Sequence, residues 1–93
     1  MRFTVIWAES VIEQLAGLWL DAGDKGRFSG AIAEIDRVLS TSPHAAGRLL
    51  HEGIMVCSRD GVSVLFEIRD NDCIVDVVLV KKSGSFDEAS GQS

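Results

Sequence analysis

The chain has 93 residues, 46% of them hydrophobic and 25% charged, which is the composition of one folded domain and excludes wholesale disorder. Nine Lys and Arg against fourteen Asp and Glu give a net charge of −5, which argues against a surface built throughout for nucleic acid or anionic lipid. No apolar run reaches the ~18 residues of a membrane span, and the opening residues lack a signal-peptide core, so the expected compartment is the cytoplasm. Arg2 to Trp7 then reads as a strand, with Phe3, Val5 and Trp7 alternating against Arg2, Thr4 and Ile6. The period changes at once to that of a helix, with Val11 or Ile12 followed by Leu15, Leu18, Trp19 and Ala22 at three- and four-residue steps. Ser10 and Glu13 have the spacing of a capping box, and Gly23 suits a left-handed helix end.

Asp24 is placed to cap a second helix running to about Leu39, whose stripe includes Phe28, Ala31, Ile32, Ile35 and Val38. Pro43, the only proline, is expected to stop helix and hold Ser42 extended. From Gly47 the period becomes two. Arg48 to Arg59 reads as one strand, bent or bulged at Gly53. Asp60-Gly61 predicts a type I′ hairpin turn. Val62 to Arg69 places Val62, Val64, Phe66 and Ile68 on one face and Ser63, Leu65, Glu67 and Arg69 on the other. A turn at Asp70–Asp72 leads to a last strand, Cys73 to Val80. The expected fold is α+β, in the order β-α-α-β-β-β, with a helical hairpin on one face of a mainly antiparallel sheet. Residues 1–82 form that single domain, and the Gly-, Ser- and acid-rich residues 83–93 a disordered polar tail.

This order and several local patterns resemble the RelE/ParE toxin superfamily, which includes plasmid-stabilisation proteins. The resemblance covers about residues 2–82. Its points are Phe3-Thr4-Val5-Ile6-Trp7, Ala31-Ile32-Ala33-Glu34-Ile35, Ser42-Pro43 before Gly47, and above all the run from Arg59-Asp60-Gly61 to Phe66-Glu67-Ile68. The resemblance implies the toxin of a type II toxin–antitoxin pair, neutralised by a cognate antitoxin. Its target would be messenger RNA on the ribosome, as in the RelE branch, or DNA gyrase, as in the ParE branch. The family's ribonucleases draw their chemistry from Lys, Arg and Tyr. Here the strand arginine is replaced by Ser63 and the aromatic position by Phe66, and the chain has no Tyr. Two alternatives follow: a toxin-fold binding module without catalysis, and a structural domain that associates with itself.

The candidate site residues are the cations at strand ends, Arg48, Arg59, Lys81 and Lys82, together with His51, whose reference pKa near ~6.5 suits a general base. The blander reading of each is a solvated residue blunting a sheet edge. His44 reads as a loop residue, and Trp7 and Trp19 as core rather than as stacking platforms. Cys57 and Cys73 lie on outer strands of the meander and are expected unpaired and reduced. They form no C-x-x-C pair, so neither a metal nor a cofactor is implied. Apolar residues on both faces of the last strands point to a covered second face, by the antitoxin or by a homodimer through the open sheet.

Overall fold

The chain alternates its pattern from strand to helices and back to strands, and the computed structural model, which describes residues 2–82, follows it. Residues 83–93, read above as a tail, lie outside the described residues. The elements are β1 (Thr4–Trp7), α1 (Glu9–Asp21), α2 (Lys25–Thr41), α3 (Pro43–Ala46), β2 (Arg48–His51), β3 (Ile54–Arg59), β4 (Val62–Arg69) and β5 (Ile74–Lys82). They build one sheet in the order β1-β5-β4-β3-β2. Only the β1–β5 pair is parallel; the other neighbours run antiparallel.

The local signals hold in part. Asp24 caps α2, accepting a hydrogen bond from the Arg27 backbone N–H at 2.9 Å. Asp60 and Gly61 have φ of 50° and 89°, the positive values a type I′ turn requires. The Ser10–Glu13 capping box does not form, because α1 starts two residues earlier than a Ser10 cap would set it, at Glu9, with Ala8 in the cap position. Gly23 is not left-handed either, since the chain leaves α1 through an extended Ala22. α2 does end before Pro43, at Thr41, with Ser42 at φ of −147°, but Pro43 then opens the short α3 from the first position, where its missing N–H costs nothing.

The expected single strand from Arg48 to Arg59 is two strands. Gly53 takes φ of +73°, which reverses the chain instead of kinking it, and β2 folds back onto β3 with Arg48 opposite Val56. The meander therefore has four strands. A bulge at Leu50 interrupts the β2–β3 register.

The core lies between the helical hairpin and one face of the sheet, where Val11, Ile35 and Leu39 meet Val64, Phe66 and Val75. Trp7 packs against it, and its indole N–H donates to Asp36 Oδ1 at 2.9 Å. Trp19, expected in the core, is exposed and stacks under Lys25 Nζ at 5.1 Å. The inward stripe of α1 is Val11, Leu15 and Leu18, and Trp19 falls one step, about 100°, outside it.

One irregularity decides which face each residue of β5 takes. Leu65 of β4 lies opposite Leu79, but Phe66 lies opposite Val77, so Val78 is an extra residue in β5. Before it, Val75 and Val77 face the helices; after it, Val80 does. Strict alternation would have set Val80 on the opposite side from Val75 and Val77. The bulge brings all three inward and turns Leu79 outward in exchange, so the outer face keeps an apolar strip.

Candidate functional site

The outer face of the sheet, away from α1 and α2, gathers most of the chemistry. Directly opposed residues on neighbouring strands point to the same side, so the register assigns the rows. One row runs Arg48, Val56, Leu65, Leu79 across β2, β3, β4 and β5. The next runs Ser58, Ser63, Lys81. The two serine hydroxyls are hydrogen-bonded to one another at 2.6 Å. Ser63 is 2% exposed and is the one buried polar residue among those described. Val56, 4% exposed, is buried yet lies outside the main core cluster.

The opposite end of the same face is acidic. Glu67 and Asp76 oppose each other, a pairing that alone would be repulsive. Arg69 relieves it, with Nε donating to Asp76 Oδ2 at 2.9 Å and Nη1 at 3.9 Å from Asp72. The outer face is thus zoned: cations and hydroxyls at one end, an apolar strip in the middle, carboxylates at the other.

The five candidates from the sequence divide between two sides of the sheet. Arg48 and Lys81 share the outer face, and His51 lies opposite Ile54 at the exposed end of β2. Arg59 and Lys82 flank Val62 on the side that faces the helices. Arg59 Nε lies 3.6 Å from Glu34 of α2, and its Nη1 donates to the Ser58 carbonyl at 2.7 Å. Asp60 instead takes Arg27, with Nη2 at 2.7 Å, so two ion pairs fasten α2 to the β3–β4 hairpin. The Arg27 guanidinium, by hydrogen bond and charge, holds the Asp60 carboxyl below the usual carboxylate range. His44 is not a bare loop residue: its Nε2 lies 2.7 Å from Asp70 Oδ1, joining α3 to the 3-10 turn at Asp70–Asp72.

Two further positions bear on chemistry. Phe66 is fully buried and faces the helices, so its ring belongs to the core and not to the outer face. Ser58 carried no signal in the sequence, because a lone serine in a strand acquires meaning only when register sets it against Ser63. Neither cysteine is in a disulfide, and burial pushes the Cys57 thiol pKa up. Among the described residues no three His, Cys, Asp or Glu side chains group as a metal site, and no helix is long and apolar enough to cross a membrane. Arg48 and Lys81 share this face with an apolar strip and a serine pair whose hydroxyls are bonded to each other, an arrangement suited to binding.

No family model matches the sequence, and no curated protein matches it. Solved structures do. The chain is similar to a chain of the toxin–antitoxin complex RelBE2 from Mycobacterium tuberculosis, with TM-score 0.72 and 21% identity over 88% of this chain and 99% of that one. It is similar to an E. coli RelE toxin mutant in the free state, with TM-score 0.63 and 16% identity over 99% and 98% of the two chains. A chain of the archaeal RelE–RelB complex from Pyrococcus horikoshii matches with TM-score 0.64 and 14% identity, over 90% and 98%. These likenesses span nearly the whole of each molecule, and on them the helical hairpin and mixed five-stranded sheet described above are a RelE toxin-like fold.

Proposed function

We propose that this chain is the toxin of a type II toxin–antitoxin pair of the plasmid-stabilisation kind, acting in the cytoplasm and neutralised by a cognate antitoxin. The observation that carries the reading is the end-to-end likeness to RelE toxins, two of them in complexes with antitoxins. The antitoxin docks on the outer sheet face. There Arg48 and Lys81 rim the Val56, Leu65 and Leu79 strip, which suits a segment with apolar side chains and a few carboxylates.

A second reading, a toxin-fold module that binds without cutting, has a specific observation in its favour. The position of the family's strand arginine is Ser63, bonded to Ser58, and the aromatic after it is a core phenylalanine. Inducible expression in a bacterium separates the readings. Growth arrest rescued by the neighbouring small open reading frame supports a toxin, and following translation and DNA supercoiling together distinguishes ribosome from gyrase. Unimpeded growth with a tight complex between the two proteins supports the binding module. Unimpeded growth without a complex removes both.

A further inference from the structure

Asp60 is the one Asp or Asn in the sequence that is followed by glycine. That dipeptide carries a chemistry of its own. Glycine has no Cβ to hinder its nitrogen, which can therefore reach the side-chain carbonyl of the residue before it. Attack of the Gly61 nitrogen on Asp60 Cγ closes a five-membered succinimide ring, and the nitrogen's proton and the carboxyl OH leave as water. A second water then opens the ring. Cleavage of the Cγ–N bond restores aspartate. Cleavage of the backbone C–N bond leaves Gly61 attached through Cγ, which is an isoaspartate. One water is released and one consumed, so mass is unchanged and solvent is the only co-reactant.

The structure provides both the opening and the obstacle. Arg59 and Val62 close the β3–β4 hairpin, so Asp60 and Gly61 are the turn itself and stand outside the ladder. A hollow of about 320 Å³, lined in part by Asp24, Arg27, Asp60, Gly61 and Lys82, admits water beside their peptide bond. A Cβ at Gly61 would meet nothing within 4 Å, so no packed neighbour holds the turn from that side. Against this, Arg27 Nε and Nη2 both lie 2.7 Å from Asp60 Oδ1. The carboxyl group is held toward α2, whereas ring closure needs Cγ to swing to the Gly61 nitrogen. The same contact opposes protonation of the carboxyl, the form from which OH leaves. Of the other charged groups at this hollow, Asp24 accepts from the Arg27 backbone N–H as the α2 cap, and Lys82 ends β5.

We infer that the Asp60–Gly61 bond is a site of spontaneous isoaspartate formation, held in check by the Arg27 guanidinium. Isoaspartate adds one atom to the backbone of the turn and moves the carboxylate onto Cα. The type I′ geometry and the Arg27 contact are lost together. The Arg59–Glu34 pair then remains as the one tie described here between α2 and the hairpin. This chemistry is independent of the toxin reading.

The test is incubation of the purified chain for weeks at about pH 6 and about 37 °C, followed by digestion and separation of the isomeric peptides. Isoaspartate is expected at residue 60 in the parent, and at least about tenfold faster in Arg27→Gln. Glu34→Gln breaks the other tie without touching Asp60, and is expected to react at the parent's rate. Absence of isoaspartate from both the parent and Arg27→Gln overturns the site. Equal rates in those two overturn the role of Arg27, and so does equal acceleration by Glu34→Gln, which would assign protection to the fold at large. Should Arg27→Gln unfold, the folded parent in about 1 M sodium chloride decides, because salt screens an exposed pair. Faster reaction there supports the inference, and an unchanged rate overturns it.

Discussion

Gly47 and Val56 approach so closely that a Cβ at residue 47 would overlap the Val56 carbonyl oxygen and come within 3.1 Å of the Phe66 ring. The φ of Gly47 is −137°, ordinary extended backbone, so the requirement for glycine here is purely steric. Gly47→Ala must move backbone at the join between α3 and β2. A loss of about 1–3 kcal/mol is expected in urea denaturation. Gly23→Ala, with open space around it and no left-handed backbone, is the control and is expected to stay within about 0.5 kcal/mol of the parent.

The Arg27–Asp60 pair gives the fold an acid-sensitive clasp. Because the folded-state pKa of Asp60 is depressed below its ordinary 3.8, the unfolded chain binds the proton more readily. The stabilisation is present above that ordinary value and disappears as pH falls through the lowered one. Asn keeps the left-handed turn at this position. Asp60→Asn is therefore expected to lower the urea midpoint at about pH 6, and the difference from the parent to shrink as the pH falls below 3.8. A constant difference across that range would remove the carboxylate from the explanation.

Thiol chemistry should separate the cysteines. Cys57 is 1% exposed and its ionisation is suppressed by burial, whereas Cys73 is half-buried at the entrance to β5. An aromatic disulfide reagent is expected to titrate Cys73 in the native protein and Cys57 only after denaturant is added. Equal native rates for the two would contradict the packing of β3.

Ribosome-dependent cleavage of messenger RNA is expected to be weak or absent. One missing anion-stabilising donor typically lowers a rate ~10²–10³-fold, and on the RelE/ParE resemblance both Ser63 and Phe66 stand where that family's ribonucleases carry functional groups. Messenger cleavage in a translating extract at the rate of an active RelE-type toxin would refute this. Alanine substitutions at Arg48, His51 and Lys81 would then identify the groups responsible.

The readable part of this fold is the part written locally. Asp24 caps its helix and Asp60-Gly61 turns its hairpin because each signal acts within four residues. The α2 stripe ending at Ile35 and Leu39 is core for the same reason: period alone determines the face. Two local signals, the Ser10–Glu13 box and a left-handed Gly23, go unused, and the rest of what escaped depends on partners distant in the chain. Gly53 reads equally as a bulge or a reversal until β2 finds β3. The extra residue at Val78 is visible only against β4. The Ser58–Ser63 bond likewise needs register, and the split of Arg48 and Lys81 from Arg59 and Lys82 needs to know which way each pleat faces.

The Val78 bulge also sets what this strand can tolerate over generations. Val78 is exposed, so replacing it by another residue disturbs little. Removing it would leave β5 a regular strand with the same pairs, Phe66 with Val77, Leu65 with Leu79 and Val64 with Val80, so every side chain would keep its face. The segment between Val77 and Val80 is thus free to lose this one residue as well as to change it. In a set of descendants, it should vary in length as well as in spelling.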